Sequence, residues 1–497
     1  MAPTATAAAT PFVHLFRTEQ GAYVYDANTN RIVAVDQSVQ AVLRHFTTDR
    51  SEEEVLDAAR AEHPTLAVEV LRRAYHDVQQ ARRRGLFSTY RPKDFVPWEV
   101  TEQRRQTYAS GLQQLILELT EQCNMRCRYC TYSDHYPLTR GYSQRTMPIE
   151  VAEAAVHYFL EHSTGVEGKA AVTFYGGEPL LRMDLLERCC RLALEKAGDR
   201  VRFQLTTNGT LLTVAHARRL AAIGMNVLVS LDGPGAVHDA NRVLRGGKGT
   251  FARVSANLRA VRQELPEFYQ HNLGFVCVLG PTTSPKQAFE FFEWEHELLG
   301  NGILVVNFVS AQDSDYWERH PPTSAWREEL DQLRAEYYRR LISGGARSKF
   351  LDALFQKPFL SLWRRAKQAR LPATMPLHGC CVPGSRRLFV DCHGTYHICE
   401  RINRTVPVGD VTRGLDLERV HQVWDQYRDA CRSSCLGCWA FQYCPRCFVT
   451  VGNGQFALDQ AECARIRDVV ASDMEDFCRI AERNPFAFEF MRGIKVR

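Results

Sequence analysis

The run Cys123-Asn-Met-Arg-Cys127-Arg-Tyr-Cys130 constrains this 497-residue chain more than any other stretch. It follows directly on an apolar, strand-like segment (LILEL, 115–119), so three thiols sit on one loop at the carboxyl end of a strand. With three and then two residues between them, one loop can wrap three thiolates around a single iron–sulfur cube, leaving the fourth iron without a protein ligand. The amine and carboxylate of an amino-acid-like cofactor can chelate such an iron and receive an electron through it. A structural zinc loop is the rival reading, but zinc sites usually close with four ligands. No fourth cysteine completes this loop, and His135 lies five residues beyond it.

The other cysteines extend the argument. Of 17, three fall within Glu121–Thr131 and eleven follow His378. A reducing compartment turns such clusters towards metal and away from disulfides, and an odd count fits complete pairing poorly. Cys189, Cys190, Cys277 and Cys478 lie on apolar faces and read as buried small hydrophobes. The opening MAPTATAAAT has neither a basic start nor a long apolar stretch, and no run approaches the roughly 18 apolar residues of a membrane span. A cytoplasmic protein with no membrane contact is expected. The net charge of +5 is small, and no basic groove with interleaved aromatics is visible, so no nucleic-acid partner is expected.

At this length two to four domains are expected. Residues 11–92 hold three short strand-like runs and then three helical stretches. The helices run from about Gln37 to Phe46, from Ser51 with Glu54 completing a capping box, and from about Leu66 to a stop at Gly85. That order describes a small winged-helix-like domain, followed by a linker over Arg91–Glu99. Residues 112–310 alternate six apolar strand-like runs with amphipathic helices, the pattern of parallel βα units in an open sheet or partial (β/α)6 barrel, an α/β fold. In such folds the site lies at the carboxyl ends of the strands. Residues 311–376 read as a helical connector. Residues 377–480 read as a cysteine-rich unit with few long periodic segments, where metal supplies what a small core cannot.

With these residues in place, the chain resembles the radical SAM superfamily. CxxxCxxC after the first strand, with aromatic Tyr129 before the last Cys, is its cluster motif, so Cys123, Cys127 and Cys130 would hold a [4Fe–4S] cluster that cleaves S-adenosylmethionine. Three further segments match in order. Tyr175-Gly176-Gly177-Glu178-Pro179 resembles the GGEP motif, whose backbone and Glu178 would receive the methionyl ammonium. Thr207 and Asn208, in the TTNG run, would contact the cofactor's ribose and carboxylate. Ser230 ends the fourth strand as a carboxylate contact, and Arg242 would add a charge-assisted pair.

The carboxyl-terminal cysteines resemble the SPASM extension of peptide-modifying radical SAM enzymes. The resemblance implies that Cys381, Cys399 and Cys447 bind one auxiliary [4Fe–4S] cluster and that Cys435, Cys438, Cys444 and Cys463 bind a second. The family usually has three residues between the last two Cys of the compact run, whereas this chain has only Pro445-Arg446. Seven ligands leave one iron open for a substrate thiolate, unless Cys380 is the eighth, with Cys392 and Cys431 behind it. On spacing alone, a zinc ribbon of Cys435, Cys438, Cys444 and Cys447 is the alternative.

The amino-terminal domain resembles the RiPP recognition element, which binds leader segments of ribosomally made peptides. A sheet edge beside a helix suits strand addition. Arg72, Arg73, Arg82, Arg83 and Arg84 would suit an acidic leader, or form a solvated face. Together these parts resemble maturases that install thioether crosslinks in a precursor peptide, and the stretch from Cys130 to Tyr136 with Arg140 and Cys381–Asn403 carries the closest likeness. The resemblance implies an external reductant such as flavodoxin or ferredoxin. Cyclophane (carbon–carbon) crosslinking, oxidation of Ser or Cys as in sulfatase maturases, and a non-catalytic iron–sulfur electron carrier are the alternatives. No residue stands out as the catalytic base.

Overall fold

Short β-branched and aromatic runs broken by turn residues become β1 (Val13–Arg17), β2 (Ala22–Asp26) and β3 (Arg31–Val35), an antiparallel sheet in that order. In the computed structural model, which describes residues 9–99, 101–300, 302–377, 381–451 and 454–494, three helices follow. They are α1 (Gln37–His45), α2 (Glu52–Glu62) and α3 (Val68–Arg83). The capping box forms as expected: Glu54 N donates to Ser51 Oγ at 3.2 Å, and Ser51 N donates to Glu54 Oε2 at 2.7 Å. Gly85, with φ 91°, terminates the third helix. Val24, Val42, Leu71 and Val78 form the core of this domain.

The segment after it does not behave as a linker. It contains β4 (Asp94–Phe95), Phe95 is fully buried, and Trp98 packs 5.8 Å from Trp424. Two large apolar rings in nine residues dock the chain instead of leaving it free.

Six parallel strands follow in chain order: β5 (Gln114–Thr120), β6 (Ala170–Gly176), β7 (Val201–Thr207), β8 (Met225–Ser230), β9 (Leu273–Leu279) and β10 (Leu304–Phe308). Each pairs with its predecessor, the (β/α)6 arrangement read from the pattern. Cys189 and Cys190 are fully buried and Cys478 nearly so, as small hydrophobes, while Cys277 is fully buried with its Sγ donating to Asp232 O at 3.5 Å.

At the end of the connector, β11 (Thr374–Met375) pairs in parallel with β4. The cysteine-rich region then joins the main sheet. β12 (Arg387–Val390) runs parallel to β5, from Arg387 opposite Gln114 to Val390 opposite Leu117. β13 (Thr395–His397), β14 (Gly409–Asp410) and β15 (Gly414–Leu415) continue it antiparallel. One sheet of ten strands, counted among the described residues, therefore spans both regions. The expectation of few periodic segments here is corrected by two long helices, Leu417–Cys435 and Gln460–Arg483, whose apolar stripes lie among the cysteines. Among the described residues no helix is long and apolar enough to cross a membrane.

The last long helix packs on the connector, where Tyr338 donates to Asp476 at 2.6 Å. Burial, with Asp476 adding to it and Arg334 opposing, pushes the nearby Asp473 carboxyl from 3.8 up to about 7. The folded chain thus holds a proton that the unfolded chain has released. Its contribution is present in full below 3.8 and is lost as pH rises through about 7. Asp473→Asn is expected to raise the thermal midpoint at about pH 8 while leaving it little changed at about pH 4. Scanning fluorimetry across that range checks the prediction; equal shifts at both ends would refute it.

Candidate functional site

The four motifs meet at the carboxyl ends of β5 to β8, held by a closed set of hydrogen bonds. Gly177 N donates to Thr120 O at 2.7 Å and Glu178 N to Gln122 O at 2.9 Å, which seats the glycine turn on the backbone leading to Cys123. Gly176 has φ 131°, a conformation that favours glycine. A Cβ on Gly177 would lie 2.6 Å from the Gln122 carbonyl carbon and 3.1 Å from Cys123 N, so the loop and the turn are in contact along their backbones.

The Glu178 carboxylate, which the motif implies would meet the cofactor's ammonium, is held by three donors within the protein. It is fully buried and accepts from Leu180 N (3.0 Å), Thr207 Oγ1 (2.7 Å) and Asn208 N (2.8 Å). A buried carboxylate needs such partners. Even so, burial holds its pKa above the usual carboxylate range. Glu178 thus braces the Thr207–Asn208 turn, and Thr207 uses its hydroxyl for that brace.

Asn208 reaches the cysteine loop. Its Nδ2 donates to Asn124 Oδ1 at 3.0 Å and lies 3.8 Å from Cys123 Sγ. Asn124 Nδ2 in turn donates to Thr210 at 2.8 Å. Asn124 has one local signal in the sequence, its position directly after Cys123.

Arg242 is paired, with a protein carboxylate as its partner. Asp232 and Arg242 form a buried ion pair at 2.9 Å, and Asp232 also accepts from Tyr129 and, at 3.0 Å, from Val278 N. Arg242 is held well above its ordinary value, with burial opposing and Asp232 and Tyr129 favouring the charge. Ser230 is buried at the end of β8, two residues before Asp232. Arg126 N and Arg128 N donate to Val243 O (2.8 Å) and Asn241 O (3.0 Å), so the loop lies along the backbone around Arg242. Within this frame burial pushes the Cys123 thiol up to about 12, with Glu178 and Cys130 adding to it. Burial also raises Cys127, opposed by Arg242 and assisted by Cys130 and Cys123. The three thiols are electrostatic neighbours on one loop, and that donor set fits a cluster with one open iron.

The later cysteines divide into two neighbourhoods. Cys399 is pushed up to about 12 by burial, with Glu400 and Cys447 contributing, while Cys381 acts on Cys447. Cys435, Cys438, Cys444 and Cys463 line one cavity together with Arg446 and Arg467. A zinc ribbon would gather Cys447 with the second group, whereas the electrostatic neighbours of Cys447 include Cys381 and Cys399. Among the described residues no group of three or more His, Cys, Asp and Glu side chains is already drawn to metal-binding separation. Cys431 hydrogen-bonds Cys435, and Cys392 Sγ donates to Glu118 O at 3.2 Å on the barrel side of β5. Cys380 lies outside the described residues.

Three separate sets of polar contacts join the loops around these sites. Glu118, fully buried, accepts from Tyr132 and pairs with Arg140 at 3.7 Å and Arg404 at 3.9 Å. His135 Nδ1 pairs with Asp315 at 2.7 Å at the end of the β10 loop, and Asn403 donates to Asp313 at 2.7 Å. Glu118, Tyr132 and Asp315 join strands and loops far apart in sequence, so spacing gave no sign of them.

Comparison with known proteins agrees with this geometry. The radical SAM superfamily model matches residues 117–294. GTP 3',8-cyclase of Xanthomonas axonopodis pv. citri is 37% identical over 222 residues, covering 44% of this chain and 61% of that protein. The cysteine-type anaerobic sulfatase-maturating enzyme of Clostridium perfringens (strain 13 / Type A) is 31% identical over 208 residues, covering 41% of this chain and 53% of that protein. The chain thus spans little more than half the length of these curated relatives. The solved structure of native anSMEcpe with bound AdoMet aligns with a TM-score of 0.54 at 19% identity, over 77% of this chain and 100% of that one, which shows a shared fold. With the cysteine loop, the glycine turn and the Asn208 brace all inside the matched span, residues 117–294 of this chain are a radical SAM domain.

Proposed function

We propose that this chain is a radical SAM maturase that installs Cys thioether crosslinks in a ribosomally made precursor peptide. The observation that carries the reading is the sorting of the cysteines. One set of three lies on the barrel loop, and two further sets lie in a region joined to the barrel through β12. Cys123, Cys127 and Cys130 would hold the cofactor-cleaving cluster. Cys381, Cys399 and Cys447 would hold one auxiliary cluster, and Cys435, Cys438, Cys444 and Cys463 the other. When bound, cluster and S-adenosylmethionine would supply the radical chemistry that activates a substrate carbon–hydrogen bond.

The chain's own residues orient and shield that chemistry. Glu178 and Asn208 hold the turn beside Cys123, and the buried Tyr129–Asp232–Arg242 cluster ties the cysteine loop to the carboxyl end of β8. The amino-terminal domain supports a peptide substrate. Among the described residues β3 is an edge strand open to strand addition, and α3 with its C-cap exposes Arg72 (3.5 Å from Glu52), Arg73, Arg83 and Arg84 to an acidic leader. Arg82 instead lies over the Phe46 ring at 4.3 Å. A flavodoxin- or ferredoxin-type protein would supply the electron that cleaves the cofactor, and an auxiliary cluster would take up the one electron released as the sulfur–carbon bond forms and the thiol proton leaves.

The sulfatase-maturating relative favours a second reading, oxidation of a Cys or Ser without a crosslink. Co-expression with a neighbouring short precursor and tandem mass spectrometry separates the two. Thioether formation removes two hydrogens per link and leaves a sulfur–carbon bond that blocks fragmentation between the joined residues. A peptide modified only at isolated Cys or Ser, or joined carbon to carbon, would overturn the thioether reading.

A further inference from the structure

Five residues, Trp439 to Tyr443, separate Cys438 from Cys444, and most of them rest on the amino-terminal domain or the segment that leaves it. The Trp439 indole stacks on His14 of β1, with ring centroids 3.8 Å apart and 6° between planes. Phe441 lies 5.3 Å from Phe95 of β4. Gln442 Nε2 donates to Tyr25 Oη at 3.1 Å and to Ala27 O at 2.9 Å. Tyr443 Oη donates to Asn30 Oδ1 at 2.8 Å, and Tyr25 Oη donates to the same oxygen at 3.1 Å.

Asn30, in the β2–β3 turn, is the hub. It is 6% exposed, has φ 55°, and its Nδ2 donates to Ala366 O at 3.1 Å in the connector. Two more bonds hold the same turn: Gln368 N donates to Thr29 O at 3.1 Å and Gln368 Nε2 to Asn28 O at 3.0 Å. Buried polar groups are costly unless each finds its partner, so a network of this kind fixes one docking geometry and excludes sliding.

We propose that the β2–β3 turn of the amino-terminal domain is a structural part of the second auxiliary site. Asn30, acting through Tyr443 and Gln442, sets the spacing of Cys438 and Cys444. These are positioning residues, and the inference rests on the reading that this cysteine set holds an auxiliary cluster. The domain that would bind the leader then also braces the loop of a metal site some 400 residues downstream, a distance read from Asn30 and Cys438.

The test uses the full-length chain, reconstituted anaerobically, and follows iron loss to a chelator with electron paramagnetic resonance to identify each cluster. Asn30→Gly keeps the left-handed backbone and removes the bridging amide. Tyr443→Phe removes one hydroxyl. Each is expected to release about four irons roughly tenfold faster, the scale of one lost hydrogen bond, while the radical SAM cluster signal is unchanged. Glu482→Gln is the control, because Glu482 accepts from Thr18 at 2.6 Å elsewhere on the same interface. It is expected to leave release at the parent rate. Parent-like release from both Asn30→Gly and Tyr443→Phe, or equal acceleration by Glu482→Gln, would overturn the proposal. If Cys438→Ala with Cys444→Ala leaves the iron content whole, the auxiliary-cluster reading itself fails, a separate result.

Discussion

Gly177→Ala is expected to lower reductive cleavage of S-adenosylmethionine by about 100-fold, the usual cost of moving reacting groups by roughly 1 Å. The added methyl has no room. It would meet the carbonyl carbon of Gln122 at 2.6 Å, and backbone atoms cannot swing aside as a long side chain can. The two strands of the contact must separate, and Cys123 moves with Gln122. The sign of the effect is checked by cleavage assays and by the iron content of the reconstituted variant. Gly141→Ala provides the control, since a Cβ there meets nothing within 4 Å. Equal activity in the two variants would mean that the glycine turn does not position the cysteine loop.

The second large effect concerns the Asp232–Arg242 pair. Arg242→Met leaves a carboxylate with 2% side-chain exposure facing a thioether, and such uncompensated burial costs about 3–5 kcal/mol. Chemical denaturation should register that loss. Arg242→Met combined with Asp232→Leu is expected to recover part of it. Recovery stays incomplete because Tyr129 and Val278 N also lose their acceptor. A loss below about 1 kcal/mol in the single variant would show that the pair is far more solvated than its geometry indicates.

Much of this architecture is legible in the residues because its signals are local. Apolar runs of five to seven residues between amphipathic stretches give β5 to β10, and the Ser51–Glu54 box gives the start of α2 to the residue. The cysteine spacing and the glycine turn likewise sit within single loops. What escaped is non-local. β12 pairs with β5 across some 270 residues, so nothing near Arg387 announces that it extends another region's sheet. Asp94–Phe95 looks like linker because its partner, Thr374–Met375, lies far along the chain. The protein partners of Glu178 and Arg242 are equally hidden, because a motif names a residue and not the direction of its side chain. Their buried partners, Thr207 and Asp232, decide that direction.

The shared sheet also governs how such a protein could be taken apart. A recombinant hybrid cut at the apparent boundary near residue 377 would remove β12 and leave the backbone of β5 unpaired on that side. An unpaired strand of that kind invites association between chains. Exchange of the carboxyl-terminal portion should therefore be tolerated only where the incoming piece brings its own strand to lie along Gln114–Leu117.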